Sequence, residues 1–256
     1  MPSRKPRYHW LVLLLGWLLY GPLNAQQPTS VIGIDRPGSI LFVGNSLTFY
    51  NNAIYTHLRG LLVAENPANR KAIFLKSMTI SGALLSDHRG GLMQLLDSRD
   101  WDVVVLQGQS REATDENKAQ GFQTATRQFA SHIRKRGAEP VLFMTWAYAE
   151  RPEMIGNLAA AFLRLGHDVN ARVIPVGLAF ERVRKSIPGV SLHHSDGIHP
   201  SLEGTYLAAA VFYSSMFGKS PEGLDYHAGL DSHLARQLRQ AAWQTWTDYQ
   251  EVTTRD

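Results

Sequence analysis

The sequence predicts an α/β fold in which a parallel five-stranded sheet lies between two layers of helices. Five short apolar runs alternate along the chain with segments that have the period of amphipathic helices. Strands that alternate with helices are joined by crossover connections and therefore lie parallel in one sheet. The 256 residues are sufficient for one domain of this kind and few for two.

The five predicted strands are short and apolar, as is typical of strands that are buried on both faces. The clearest is the Asp-Val-Val-Val-Leu segment at 102–106, in which three β-branched residues follow the only charged residue. The predicted strands are 40–43, 72–78, 102–106, 140–146 and 172–176.

The predicted helices place their apolar residues on one face. In the segment 115–136 this face contains Phe122 and Phe129, and basic residues crowd the last turn, where they suit the helix dipole. An Arg-Gly-Gly sequence at 89–91 is expected to interrupt the helix at 84–96. The predicted helices are 52–65, 84–96, 115–136, 154–165, 179–185, 202–217 and 230–249. Together with the strands they predict a three-layer α/β/α sandwich with a flavodoxin-like strand order.

Residues 1–25 are predicted to be a signal peptide. Three basic residues within the first seven positions precede an apolar run at 10–20, and Ala25 offers a small residue at a plausible cleavage point. The run is shorter than the roughly 20 apolar residues that a spanning helix needs. An uncleaved N-terminal anchor is the alternative, and either reading predicts a secreted or periplasmic domain. Residues 26–38 are predicted to be a linker, and residues 39–256 the folded domain.

Composition excludes several classes of function. Of the 26 Lys and Arg residues, three lie in the first 25 positions, which contain no acidic residue, so the remainder has 23 basic and 22 acidic residues. Because this balance leaves no basic face, we expect no nucleic-acid partner. Cysteine is absent, which excludes thiolate metal sites and leaves Ser, Thr, Lys or a carboxylate for covalent chemistry.

A serine follows the first predicted strand, at the sheet edge where parallel sheets bind ligands. The chain passes from this strand through Gly44 and Asn45 to Ser46, where a helix is predicted to begin. The turn would raise the Ser46 hydroxyl above the sheet edge, beside backbone N–H groups. The alternative is that Asn45 or Ser46 only caps the helix.

A second polar loop, near the end of the fold, holds Asp196 and His199 three residues apart. The carboxylate can hold one ring nitrogen, so that the other faces outward as a general base. The alternative is a turn aspartate beside a surface histidine. His193 and His194 are also near, but three histidines crowded into one turn are poor geometry for zinc, so we predict neither a metal nor a cofactor.

Together these loops resemble the first and last motifs of the SGNH (GDSL-like) hydrolases. Residues 44–48, Gly-Asn-Ser-Leu-Thr, are similar to the Gly-Asp-Ser-Leu motif, with asparagine in place of the usual aspartate. Residues 196–200, Asp-Gly-Ile-His-Pro, are similar to the closing Asp-x-x-His-Pro motif. The resemblance implies an SGNH-like hydrolase domain in which Ser46 is the nucleophile, His199 the general base and Asp196 its orienting partner.

The resemblance also implies an oxyanion hole formed by the N–H groups of Ser46 and Gly82 and by the side-chain amide of Gln109. Gly82 follows the second predicted strand and is otherwise an ordinary turn glycine. The family has Gly-x-Asn-Asp after its third strand, whereas this chain has Gln-Gly-Gln-Ser at 107–110. Gln109 occupies the position of the asparagine, and the sequence leaves open whether Gln109 or Gln107 donates.

Further polar and aromatic residues are predicted near the site or at the surface. Asn45, Gln107 and Trp146 are expected to line the substrate, although core packing explains Trp146 equally well. Asp87 and His88 are expected to lie at the surface.

Together with the predicted signal peptide, the resemblance implies an exported carboxylic ester hydrolase, an esterase or deacylase that removes an O-acyl group such as acetyl from a carbohydrate or small molecule. The alternatives are a catalytically inactive glycan-binding protein on the same scaffold and an acyltransferase that uses the same triad. No membrane contact is predicted beyond the export signal, and the sequence makes no prediction of oligomeric state.

Overall fold

Five parallel strands form the centre of the computed structural model, which describes residues 36–253. They are β1 (Ser39–Gly44), β2 (Phe74–Thr79), β3 (Val103–Leu106), β4 (Glu139–Phe143) and β5 (Arg172–Ile174). The strand order is β2-β1-β3-β4-β5 and every pair is parallel, so the predicted flavodoxin-like sheet is confirmed. The predicted signal peptide and most of the predicted linker lie outside the described residues.

Helices cover both faces of this sheet. They are α1 (Ser46–Phe49), α2 (Ile54–Glu65), α3 (Asn69–Ala72), α4 (Arg89–Ser98), α5 (Ala119–Lys135), α6 (Met154–Asp168), α7 (Val176–Ser186), α8 (Leu202–Phe217) and α9 (Ser232–Thr253), with a 3-10 turn at Leu85–His88. Helices α2, α7 and α8 contribute to one core cluster, and α4, α5 and α6 to the other. No helix between residues 36 and 253 is long and apolar enough to cross a membrane.

The alternation of side chains along β1 explains why two cores form. Ile40 and Phe42 point into the cluster beneath α2 and α8, whereas Leu41 and Val43 point into the cluster beneath α4 and α5. All four side chains are completely buried. A strand buried on both faces has to be continuously apolar, which is the pattern from which it was predicted.

Four local predictions are wrong. The glycines at 89–91 do not interrupt a helix, because the 3-10 turn at Leu85–His88 continues directly into α4. The fourth strand ends at Phe143 rather than at 146, and α7 begins at Val176 because Pro175 ends the pairing of the fifth strand. His88 is not at the surface: its ring is buried and its Nε2 lies 2.8 Å from the carbonyl oxygen of Gly44.

Helix α9 packs on the domain itself. Its first half contributes Ala235 and Leu238 to the core cluster beneath α2 and α8, and its second half contributes Trp246 and Tyr249 to the opposite cluster. The helix therefore runs past the edge of the sheet and closes both layers. Its buried Arg239 donates to the carbonyl oxygens of residues in the loop that follows α8.

Candidate active site

Ser46 is the first residue of α1, at the carboxyl end of β1, which lies between β2 and β3 in the sheet. Asn45, not Ser46, caps the helix, because its Oδ1 accepts a hydrogen bond from the N–H of Leu47 at 3.2 Å. The Ser46 hydroxyl therefore remains available for another partner. The capping alternative therefore holds for Asn45 but not for Ser46.

Ser46, His199 and Asp196 are joined by hydrogen bonds although the serine and the histidine are 153 positions apart in the chain. His199 Nε2 lies 2.9 Å from Ser46 Oγ, and His199 Nδ1 lies 2.5 Å from Asp196 Oδ2. A carboxylate can only accept, so Nδ1 carries the proton and Nε2 is the acceptor that faces the serine hydroxyl. This is the geometry that a general base requires.

The environment of Asp196 keeps its carboxylate ionised. Desolvation acts to raise the pKa of Asp196, but hydrogen bonds from the His199 ring and from the N–H groups of Ile198 and His199 lower it to about 2. Both N–H groups lie 2.9 Å from Oδ1. Asp196 therefore stays negative at neutral pH and holds the imidazole in one orientation.

The turn that carries Asp196 and His199 is fixed by backbone hydrogen bonds. The N–H of His194 donates to the carbonyl of His199 at 2.8 Å, and the N–H of Ala149 donates to the carbonyl of Gly197 at 2.9 Å. Gly197 has a φ of +70°, a conformation that favours glycine. The turn is thus tied both to itself and to the loop that follows β4.

Trp146 supports this turn from below and does not line a substrate site. Its side chain is 1% exposed, its ring stacks on Phe180 with centroids 4.3 Å apart, and its Nε1 donates to the carbonyl of Ile198 at 2.9 Å. The expectation of a substrate-lining role is corrected: the indole is wide enough to fill the core while its single N–H reaches the turn.

Asn45 and Gln107 are also buried, at 2% and 1% exposure, so the expectation that they line the substrate is corrected as well. Gln107 Oε1 accepts from the N–H of Asn45 at 2.9 Å and from the hydroxyl of Thr48 at 2.8 Å, while Gln107 Nε2 donates to Asn45 Oδ1 at 2.9 Å. Asn45 Nδ2 donates to the carbonyls of Ala83 and Gly108 at 3.1 and 3.3 Å. The two amides join the loops that follow β1, β2 and β3.

The two glutamines differ in whether a side-chain donor remains without a partner. Gln107 uses both of its side-chain atoms inside the loop network, whereas Gln109 is partly exposed. Gln109 Oε1 accepts from Lys118 Nζ at 2.9 Å, which leaves its Nε2 donors without a partner among residues 36–253. Gln109, and not Gln107, therefore has an amide N–H group available for an oxyanion.

The other two predicted oxyanion donors are backbone N–H groups. The N–H of Ser46 is in the first turn of α1, where no intrahelical acceptor exists. Gly82 has a φ of +69° and open space around the position of a Cβ. Its loop is held beside the nucleophile loop because the next carbonyl, of Ala83, accepts from Asn45.

Glu112 is a buried carboxylate that the sequence reasoning missed. It is 1% exposed, and its Oε2 accepts from the N–H of Gln109 at 2.7 Å and from that of Leu85 at 3.1 Å. Desolvation raises the pKa of Glu112, partly opposed by these two hydrogen bonds. It connects the loops after β2 and β3, and no motif pointed to it.

Tyr50 and Asn51 were also missed. The Tyr50 ring is stacked on the His199 ring, with centroids 4.2 Å apart and an interplanar angle of 13°. Asn51 Nδ2 donates to the carbonyl of Pro200 at 2.8 Å and to the hydroxyl of Thr205 at 2.9 Å. The only sequence signal is an Asn-Asn pair, which indicates a turn but not its partners.

The histidines near the triad do not form a metal site. His193 Nε2 lies 2.9 Å from the carbonyl of Ala147, and His194 Nδ1 lies 3.2 Å from the hydroxyl of Ser195. Within residues 36–253, no group of three or more His, Asp or Glu side chains is arranged to hold a metal ion.

A cavity of about 330 Å³ lies beside the triad turn, between the loop after β4, α6 and α7. Phe180, Ile155 and Leu192 give it a largely apolar wall, and His193 also lines it. Neither Ser46 nor His199 lines this cavity, so it is separate from the site at which the triad would act.

Comparison with known proteins finds similarity to solved structures. No profile of a known family and no curated protein matches the chain. Among solved structures, a proposed SGNH hydrolase from Slackia heliotrinireducens is 27% identical with a TM-score of 0.57, over 70% of this chain and 98% of that one.

Two further solved structures share the fold at lower identity. A DUF4886 family protein from Bacteroides uniformis is 20% identical with a TM-score of 0.66, over 81% of this chain and 93% of that one. The acetylxylan esterase Axe2 from Geobacillus stearothermophilus is 18% identical with a TM-score of 0.58, over 72% and 95%. The sheet order and these structural relatives support an SGNH-like hydrolase fold for the chain.

Proposed function

We propose that the protein is a serine esterase, which removes an O-acyl group from a hydroxyl of its substrate. The observation that supports this most directly is the hydrogen-bonded series from Ser46 Oγ through the His199 ring to Asp196. The Ser46 side chain is nearly buried, while the His199 side chain is 24% exposed. A substrate can therefore approach from the His199 side of the pair.

In the proposed first step, Ser46 Oγ attacks the ester carbonyl carbon while His199 Nε2 takes the hydroxyl proton. The carbonyl oxygen becomes negative and accepts hydrogen bonds from the N–H groups of Ser46 and Gly82 and from Gln109 Nε2. The bond from carbon to the alcohol oxygen then breaks. The alcohol leaves with the proton from His199, and the acyl group stays on Ser46.

In the second step, water attacks the acyl group on Ser46 and gives a proton to His199, which returns it to Ser46 Oγ as the carboxylic acid leaves. Asp196 stabilises the imidazolium in both steps, consistent with the lowered pKa of its carboxyl. The proposed steps need no metal and no cofactor, because His199 carries each proton between Ser46, the alcohol and water while Asp196 remains ionised.

We further propose that the substrate is an acyl ester of a carbohydrate, with acetyl the first acyl group to test. Support comes from the likeness to acetylxylan esterases, which at 16–18% identity concerns the fold. It also comes from the predicted export, which would place the domain among extracellular or periplasmic glycans. Residues 1–25 would then be absent from the mature protein. N-terminal sequencing of the protein secreted by the native cell tests this.

The test uses the protein from residue 26 onward with p-nitrophenyl esters of increasing chain length and with acetylated xylo-oligosaccharides. Ser46→Ala and His199→Ala should each reduce kcat by a factor on the order of 10⁶. Ser98→Ala and His132→Ala are matched controls, because these side chains lie on α4 and α5 and, among residues 36–253, bond only to carbonyls of their own helix. The controls should retain full activity.

A fluorophosphonate probe separates the enzyme from the glycan-binding alternative. Labelling that is lost in Ser46→Ala supports the proposal, whereas a folded wild-type protein that is neither labelled nor active with any ester contradicts it. Product analysis with and without an acceptor sugar separates hydrolysis from acyl transfer, since only a transferase moves the acyl group to the sugar.

A further inference from the structure

We propose that Tyr50 is an additional residue of the catalytic site and that its ring face stabilises the positive charge on His199. This inference rests on the proposed function, in which His199 becomes an imidazolium when it takes the Ser46 proton. It extends that function by a residue that neither sequence motif contains. The observation behind it is the stacked pair of rings, 4.2 Å between centroids.

The stacking is built into the nucleophile loop. The N–H of Tyr50 donates to the carbonyl of Ser46 at 3.0 Å, so the Tyr50 backbone is fixed relative to the nucleophile. The next residue, Asn51, donates to the carbonyl of Pro200, the neighbour of His199. Tyr50 and Asn51 thus contact His199 and Pro200 through one pair of stacked rings and one hydrogen bond.

The backbone after Tyr50 adopts a conformation that needs such support. Asn51, Asn52 and Ala53 have φ values of +49°, +68° and +68°, a conformation that asparagine tolerates but that is unfavourable for alanine. His57 Nε2 lies 2.7 Å from the Asn51 carbonyl, and His57 Nδ1 lies 2.9 Å from the Tyr226 hydroxyl. Packing therefore holds the turn that presents the Tyr50 ring.

An aromatic ring attracts a cation over its face because the face of its π-system is negative. The separation of 4.2 Å is well inside the roughly 6 Å over which this attraction acts. The ring should favour imidazolium over neutral imidazole by a factor of about two to five, the range for sites that are partly open to water. The same preference applies to the transition state, in which the charge develops.

Two other groups that can carry charge surround His199. Asp196 bonds to Nδ1 and favours the cation. His194 faces the Tyr50 ring edge-on at 6.3 Å, and its N–H donates to the His199 carbonyl. Protonation of His194 would oppose the cation, so the experiment follows both histidines separately.

The decisive measurement is the titration of the His199 ring by NMR in the folded protein, for wild type, Tyr50→Leu and Tyr50→Phe. Tyr50→Leu should weaken proton binding by about two- to fivefold and move the midpoint to lower pH. Tyr50→Phe keeps the ring and should leave it unchanged. Phe49→Leu is the matched control, since Phe49 is 37% exposed and its ring lies 6.0 Å from that of Tyr50.

The direction of the shift separates this role from a structural one. If Tyr50 only covered His199, its truncation would let water reach the ring, and water favours the charged form. The midpoint would then rise. A rise, or no change, in Tyr50→Leu overturns the proposal. Tyr50→Trp provides a second variant that keeps the aromatic cover, and it should strengthen proton binding because indole is the best acceptor of a cation.

Ester hydrolysis by the same variants links the titration to catalysis. Tyr50→Leu should lower kcat by about two- to fivefold with little change in KM, and Tyr50→Phe should match wild type. If wild type hydrolyses no ester, the proposed function fails and the catalytic role of Tyr50 fails with it. If wild type is active but Tyr50→Leu has an unchanged midpoint and kcat, only the role of Tyr50 is overturned.

Discussion

Substitution of Asn45 by aspartate tests whether the buried amide pair holds the three loops of the site together. Asn45 is 2% exposed, and its Nδ2 faces the carbonyl oxygens of Ala83 and Gly108 at 3.1 and 3.3 Å. A carboxylate cannot donate to either carbonyl. The family's usual aspartate is therefore incompatible with this loop arrangement, in which Gln107 occupies the position of a glycine.

The magnitude follows from the number of lost bonds and from the burial. A protonated carboxyl keeps one of the two donated hydrogen bonds, so Asn45→Asp should cost about 1–2 kcal/mol at low pH. An ionised carboxylate in the same place would face two carbonyl oxygens without a cation, which adds about 3 kcal/mol. We therefore expect a total loss of about 4–5 kcal/mol above pH 7.

The sign of the pH dependence is specific. Burial raises the pKa of the introduced carboxyl above its unfolded value, so the native state binds its proton more tightly than the unfolded chain does. The additional loss of stability is absent below the pKa that the introduced carboxyl has in the unfolded chain, grows as the pH rises, and levels off above its pKa in the native state. Protonation therefore partly rescues the variant.

Urea unfolding between pH 4 and pH 8 measures this directly. The matched control is Asn52→Asp, which makes the same chemical change at an exposed side chain in the adjacent turn and should shift stability by less than about 0.5 kcal/mol. An Asn45→Asp variant whose stability runs parallel to that of wild type across this range would refute the reasoning. It would mean that the amide donors at Asn45 do not stabilise the loops.

Two further predictions concern packing and the second buried carboxyl. Gly177→Ala would place a Cβ 2.2 Å from the carbonyl oxygen of Thr145, so it should lower the free energy of unfolding by about 3 kcal/mol. Gly156 has open space around the position of a Cβ, so Gly156→Ala should leave the free energy of unfolding unchanged or raise it by up to about 1 kcal/mol. Equal urea midpoints for the two variants would contradict the packing argument. Burial raises the pKa of Glu112 above 4.5, so wild-type stability should fall as pH rises from 4.5 to the native pKa, and this component should vanish in Glu112→Gln. A stability difference between wild type and Glu112→Gln that stays constant with pH would exclude a raised pKa of Glu112 in the native state.

Much of the fold was predictable because local pattern determines it. The buried strands needed continuous apolar residues on both faces, and the segments 40–43 and 102–106 had no other reasonable environment. The helix at 202–217 was predicted with its observed bounds, and in the structure Ser201 caps its start and Gly218 ends it. Predictions failed where tertiary contacts outweigh local preference, as at the glycines of α4.

The candidate site was predictable in its residue types but not in all of its contacts. Ser46, Asp196 and His199 were named from two short motifs, and the structure brings them within hydrogen-bonding distance. No motif distinguished Gln107 from Gln109. The distinction depends on which side chain turns toward the nucleophile loop. That is decided by how two loops meet whose contacting residues, Asn45 and Gln107, are 62 positions apart.

The sequence by itself determined the parallel sheet, its strand order and the three residues of the proposed triad, because apolar periodicity and short polar motifs act over a few neighbouring positions. Only the tertiary structure decided that Trp146 is buried beneath the triad turn, that Asn45 and Gln107 join three loops, and that Tyr50 stacks on His199. Each of these contacts joins residues from separate loops, and its geometry depends on strand register and on the packing of both cores. Neither strand register nor core packing can be read from the pattern of neighbouring residues.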